Sequence, residues 1–149
     1  AIITLDGLME INGGCWENKP WAKLPELYPQ DSDAWENHPW DFAPKGGEPM
    51  RQVYARMWET LGGIARRHPG KTVGVASHGC AIRNYLCRAH GWPIERLGDV
   101  DWCDNTAVSV IEYRGDGHVA ITMENDASHL DDELSTIAKQ DWWQRGSRA

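Results

Sequence analysis

Eight residues constrain this chain more than any others: Thr72-Val73-Gly74-Val75-Ala76-Ser77-His78-Gly79. A short run with β-branched Thr72, Val73 and Val75 suits a buried parallel strand. A helical pattern follows at once, with Ile82, Tyr85, Leu86 and Ala89 at the i, i+3, i+4 and i+7 positions of one face. Gly91 and Pro93 close that helix. His78 and Gly79 therefore lie where a strand hands over to a helix, the edge at which open α/β sheets bind ligands. The N–H groups of the helix start favour an anion such as phosphate. Gly79 removes a side chain where the backbone turns or a ligand comes close. A lone histidine more often has a packing role, but a titratable residue at a strand-to-helix switch points to chemistry.

The chain has 149 residues, enough for one domain with one sizeable core. Its net charge of −7 argues against nucleic acid as a partner. Its uncharged apolar runs are too short to span a membrane, and the start Ala1-Ile2-Ile3-Thr4-Leu5-Asp6 lacks the basic region of a signal peptide. The four cysteines, Cys15, Cys80, Cys87 and Cys103, form no C-x-x-C pair. Their spacing fits neither a zinc site nor a disulfide framework, so they read as reduced, mostly buried thiols of a cytoplasmic protein. Nine tryptophans stand against a single phenylalanine. Tryptophan buries a large surface and keeps a donor, which suits cleft walls as well as core filling.

Ile2–Leu5 reads as a short strand, and Asn12-Gly13-Gly14 as a loop. Residues 17–45 show little periodicity, are broken by Pro20, Pro25, Pro29, Pro39 and Pro44, and carry Trp21, Trp35 and Trp40. Such a segment inside a compact domain reads as a lid or binding insert, with short helices near Trp21–Leu27 and Ser32–Asn37. Gly46-Gly47-Glu48-Pro49 opens a helix in which Met50, Val53, Tyr54, Met57, Leu61, Ile64 and Ala65 form an apolar stripe. His68-Pro69-Gly70 ends it. After a polar loop over Leu97–Thr106, Ala107–Tyr113 and Val119–Met123 read as strands joined by the hairpin Arg114-Gly115-Asp116-Gly117. The tail, Leu130–Arg145, reads as helical through Ala138 and carries Trp142-Trp143. Arg51, Arg56 and Arg83 read as solvated surface cations. Alternating strands and helices followed by a hairpin indicate an α/β sandwich with a mixed sheet.

Four segments together resemble the histidine phosphatase superfamily, the phosphoglycerate-mutase-like enzymes. Leu8-Met9-Glu10-Ile11, followed by Gly14 and Trp16-Glu17, is similar to its L-x-E-x-x-x-G-x-W-E segment. Gly46-Gly47-Glu48-Pro49 resembles its G-G-E-S helix start, with Pro49 in place of serine. Val75-Ala76-Ser77-His78-Gly79 resembles its S-H-G strand end, and Asn105 its late asparagine. The resemblance implies a three-layer α/β sandwich with a mixed, mostly parallel sheet. It also implies phosphomonoester hydrolysis through a phosphohistidine, without metal or other cofactor. Glu10 would be general acid and then base, His78 would hold the transferring phosphoryl group, and Gly79, Asn105 and Trp16 would contact phosphate or substrate. This is reasonable chemistry, since phosphoryl transfer is mainly positioning and charge stabilisation, divided here into two easier steps.

The family's nucleophile sits in an R-H-G motif, and no Arg-His-Gly triplet occurs in these 149 residues. Its first strand and helix have no counterpart either. The expectation is therefore a partial domain, residues 1–149, inactive alone, whose N-terminal βα unit comes from a missing segment or a complementing chain. That unit would supply the strand beside the His78 strand, without which an interior sheet edge stays unpaired. The expected partner is otherwise a small phosphorylated substrate; a homodimer stays open. Two alternatives remain: phosphoglycerate-mutase-type transfer, and a non-catalytic binding or scaffold relative that lost its nucleophile.

Overall fold

The computed structural model describes residues 2–115 and 117–139. Among them are four α-helices, five short 3-10 turns and two strands. The helices are α1 (Leu24–Leu27), α2 (Pro29–Asn37), α3 (Met50–Arg67) and α4 (Gly79–Ala89); the strands are β1 (Val108–Tyr113) and β2 (Val119–Asp126).

The apolar stripe of α3 becomes its buried face: Met50, Val53, Met57 and Ile64 are covered, with Tyr54, Leu61 and Ala65 half-buried. Arg66 and Arg67 lie in its last turn, where cations suit the helix dipole. It stops at His68, the residue before Pro69, which disfavours helical backbone there. Val53 and Met57 pack against Ala81 and Tyr85 of α4. The larger core joins Trp16, Leu24 and Phe42 to Met50, Leu86 and Leu97. Burying a leucine- or phenylalanine-sized side chain stabilises by about 1.5–3 kcal/mol, so the Trp/Pro-rich insert is held by the same core as the helices.

Its neck is closed by backbone pressed on backbone. The Cys15 N–H donates to the Lys45 carbonyl at 2.9 Å and the Glu48 N–H to the Asn12 carbonyl at 2.8 Å. Gly14 sits at φ +53°, and a Cβ on it would meet the Gly47 nitrogen at 2.3 Å. A Cβ on Gly47 would meet the Asn12 carbonyl oxygen at 2.4 Å. Only glycine permits that approach.

The α/β class holds, but the sheet differs from expectation. β1 and β2 form a two-stranded antiparallel hairpin, not a mixed, mostly parallel sheet. Thr72–Ala76 forms neither helix nor strand and pairs with no strand among the described residues, and Val73 and Val75 are 41% and 42% exposed. Ile2–Leu5 forms no strand, and Ile2 and Ile3 are exposed. The physical reason is common to both: a strand exists only through ladder bonds to a neighbour, and here none lies beside these segments. A groove of about 810 Å³ is lined by Lys71–Val75 on one side and β1 on the other, with Met57, Ile82 and Tyr85 of the helices also facing it.

The tail forms successive turns over 132–139 instead of a helix. The Asp104 carboxylate takes the Ile137 N–H and the hydroxyls of Ser135 and Thr136, so side-chain bonds replace helical ones. Trp142 and Trp143 lie outside the described residues. The cysteines are free thiols, Cys80 and Cys87 buried and Cys15 and Cys103 half-buried. No helix among the described residues is long and apolar enough to cross a membrane.

Candidate active site

Glu10 reaches the start of α4. Its Oε2 accepts the Cys80 N–H at 3.0 Å, and its Oε1 accepts the Ala81 N–H at 3.0 Å and its neighbour Ile11's N–H at 2.9 Å. The helix-start donors expected to favour a phosphate are thus partly taken by the chain's own carboxylate. The reason is electrostatic: an N-terminal turn with unpaired N–H groups attracts the nearest anion, and Glu10 is already on the chain.

The segment carrying Glu10 is clamped from both sides. The Ser77 hydroxyl donates to the Leu8 carbonyl at 2.7 Å. Arg56 donates to the Gly7 carbonyl at 3.0 Å and makes a two-pronged pair with Glu48 at 2.7 and 2.9 Å. Neither Arg56 nor Arg83 is the solvated surface cation expected of it. Arg83 donates to the Val100 carbonyl at 2.6 Å and lies over the Trp102 ring at 4.6 Å; burial pulls its pKa down.

Glu10, Trp16, Gly79 and Asn105 line one cleft of about 440 Å³. His78 stands next to Gly79 as the N-cap residue of α4, but it is exposed and is not part of that cleft wall. Four of the five expected site residues are thus brought together, and the fifth adjoins them. Asn105 is tied through its backbone N–H to the Thr136 hydroxyl at 3.1 Å. Beside Glu10 lies Cys80, whose thiol pKa is pushed up, first by burial and second by the Glu10 charge, which makes it a packing residue and not a nucleophile.

One wall is aromatic. The Trp16 ring lies 5.8 Å from Trp21, 5.8 Å from Trp35 and 4.8 Å from Phe42. Trp102 closes the row, 6.2 Å from Trp35. The Trp16 indole N–H is buried without an acceptor among the described residues. Sequence reasoning missed Lys19, Trp102 and the tail residues Thr136 and Ile137 as cleft residues. A tryptophan in the otherwise polar stretch 97–106 was the only signal for Trp102; nothing local marked the others.

The profile of the histidine phosphatase superfamily (branch 1) matches residues 1–126. Phosphoserine phosphatase 1 of Hydrogenobacter thermophilus is 30% identical over 129 residues, covering 87% of this chain and 60% of that protein. The metal-independent phosphoserine phosphatase of Arabidopsis thaliana is 28% identical over 130 residues, covering 87% of this chain and 52% of that protein. The chain therefore spans only about half to three fifths of the length of these relatives. Among solved structures, Bacillus stearothermophilus YhfR superposes with a TM-score of 0.79 at 29% identity, over 85% of this chain and 62% of that one. With the superfamily profile matching residues 1–126, the chain belongs to the histidine phosphatase superfamily, branch 1.

Proposed function

We propose that these residues form the acid–base half of a phosphomonoesterase site that hydrolyses a small phosphorylated metabolite, with the attacking histidine supplied from outside this sequence. The observation that carries the reading is the Glu10 carboxylate, held at the side of a cleft by the Cys80 and Ala81 N–H groups at the head of α4, just beyond His78–Gly79, and by the N–H of its neighbour Ile11. Oε1 accepts two of those bonds and Oε2 one, so Oε2 keeps the lone pair free for proton transfer. In the first step an incoming histidine attacks phosphorus, and Glu10 gives its proton to the departing alcohol oxygen. In the second, Glu10 takes a proton from water, whose oxygen attacks phosphorus and breaks its bond to the histidine nitrogen, so that phosphate leaves and the histidine is regenerated. His78, at the N-cap of α4, carries the charge on the equatorial oxygens.

The groove between Thr72–Val75 and β1 supports an outside nucleophile. Two segments face it with unused ladder capacity, which is how a sheet receives an added strand. A strand seated there makes the sheet continuous between Thr72–Ala76 and β1, and the mixed sheet of the sandwich follows. The nucleophile then arrives beside His78. The test is phosphate release from 4-nitrophenyl phosphate by the 149-residue chain alone and with an added strand–helix polypeptide bearing Arg-His-Gly. Activity only in the mixture, lost in E10Q, is the expected result. Full activity of the chain alone refutes the outside nucleophile, and activity insensitive to E10Q refutes the role of Glu10.

A further inference from the structure

The neck of the insert holds a group of residues that the proposed hydrolysis leaves unused. Asn12 is the one asparagine of the chain that precedes a glycine. Its side-chain Oδ1 accepts the Gly14 N–H at 2.9 Å, which folds the amide back over the intervening peptide. The N–H of that peptide, on Gly13, donates to Glu17 Oε1 at 2.8 Å. Gly13 has no Cβ to screen its nitrogen. Asn12 and Glu17 are both exposed, so water reaches them. Bonds of this kind ordinarily do no more than satisfy the N–H groups of a turn. Here the two converge on the two atoms of one reaction. A carboxylate sits on the proton of the nucleophile, and an N–H sits on the oxygen of the electrophile.

From this geometry we propose that Asn12 is a self-modification site, converted by the folded neck to aspartate and isoaspartate with release of ammonia. The Gly13 nitrogen attacks Cγ of Asn12 and closes a five-membered succinimide, while its proton passes to Glu17. The Gly14 N–H carries the negative charge that builds on Oδ1, as an oxyanion donor does. Glu17 returns the proton to the side-chain nitrogen, the Cγ–Nδ2 bond breaks, and ammonia leaves. Water then opens the ring. Attack at Cγ gives aspartate; attack at the main-chain carbonyl gives isoaspartate. In sum, an amide and water become a carboxylic acid and ammonia, with no further reactant. The isoaspartate product lengthens the main chain by one methylene, at a point with no slack. The Asn12 carbonyl accepts the Glu48 N–H at 2.8 Å, and a Cβ on Gly47 would meet its oxygen at 2.4 Å. Losing that carbonyl from the main chain parts the neck and shifts Gly13 and Glu10 in the cleft wall, so the conversion is a one-way loss of the site.

The experiment incubates the 149-residue chain, folded and in guanidinium chloride, and follows the amide of the Asn12 peptide by mass spectrometry. The expected result is that the folded chain loses this amide at least about tenfold faster than the unfolded one, the low end of what a positioned base supplies. Glu17→Gln removes that excess in the folded chain and changes nothing in guanidinium, where no geometry is held. A second measurement needs no substitution and stands where Glu17→Gln does not fold. Between about pH 6 and 8 the folded rate is flat, because a carboxylate base stays ionised, whereas the unfolded rate rises with hydroxide. Asn18 and Asn37, exposed but followed by Lys19 and His38, keep their amides over the same period. A folded rate equal to or below the unfolded one overturns the inference, because the neck then shields Asn12. A folded rate that rises with hydroxide, or that Glu17→Gln leaves unchanged, overturns it as well.

Discussion

Replacing Glu10 separates its structural from its chemical work. In the folded chain its carboxylate satisfies the N–H groups of Cys80, Ala81 and Ile11. Glu10→Ala removes the side-chain cap that α4 has among the described residues, where His78 makes no side-chain capping bond. Loss of a helix cap costs about 1 kcal/mol, and loss of a negative charge at a helix start costs about 0.3–1 kcal/mol more. The donors of the buried residues Cys80 and Ala81 regain water only in part, so the total comes to about 2 kcal/mol. Glu10→Gln keeps one carbonyl acceptor but turns an NH2 group toward one of the donors, for a loss of about 1 kcal/mol. With a urea slope of about 1–3 kcal/mol per molar, the alanine variant unfolds at a midpoint lower by about 1 M, and the glutamine variant by about half that. Equilibrium urea unfolding followed by tryptophan fluorescence is the assay. In the complex that holds the nucleophile, Glu10→Gln lowers turnover by at least about 100-fold, far more than its stability loss explains. An unchanged midpoint for Glu10→Ala would show that the carboxylate does not hold α4, and the proposed position of Oε2 would go with it.

Three further outcomes follow. Arg56→Lys loses the two-pronged geometry to the mostly buried Glu48 and the bond to Gly7, destabilising by about 1–2 kcal/mol, and Arg56→Ala by about 3 kcal/mol, both read as thermal midpoints. The Asp104 carboxyl is held below its ordinary 3.8, first by the Ile137 N–H and then by the Thr136 and Ser135 hydroxyls. That contribution is complete above pH 3.8 and is lost as pH falls through the lower folded value, so the Ile137 amide shift titrates below 3.8 and ceases to do so in D104N. Burial raises the thiol pKa of Cys80, and that of Cys87 to about 11, so iodoacetamide at pH 8 leaves both unmodified in the folded chain, as mass spectrometry of peptides will show; labelling of Cys80 ahead of half-buried Cys15 contradicts the burial.

What the sequence revealed and what it hid divide along a physical line. The α3 stripe from Met50 to Ala65 and the α4 face at Tyr85 and Leu86 were legible because a helix satisfies its own backbone, so its apolar period is complete in local sequence. Thr72–Ala76 was legible as a strand with one edge left open by the missing Arg-His-Gly unit; that it pairs with no strand at all among the described residues was not legible, because a strand's partner is never local. Glu10 carried no signal of its own in a loop; only the resemblance of Leu8–Glu17 singled it out, and no pattern announced that it would cap α4. The Arg56–Glu48 pair was hidden for another reason. Glu48 precedes α3 and faces Arg56 only because the neck fixes the chain's entry into the helix.

That neck links the fold to the proposed chemistry. The Gly14 and Gly47 backbones touch, so the insert leaves and rejoins the domain at one point, and its rings are then fixed by burial of Leu24 and Phe42 in the common core. Glu10 lies on the same strand of chain four residues before Gly14, and Arg56 and Ser77 hold that strand from α3 and from the Thr72–Ser77 segment. The acid–base group and the aromatic wall therefore share one rigid support, and the distance between them is set by folding. A cleft arranged this way spends little ordering free energy when a ligand arrives. The same support ends at Ser77 and His78, where the unpaired edge begins. On the proposed reading, the acid–base side of the reaction lies within these residues, whereas the phosphoryl-accepting side depends on the strand that fills the groove.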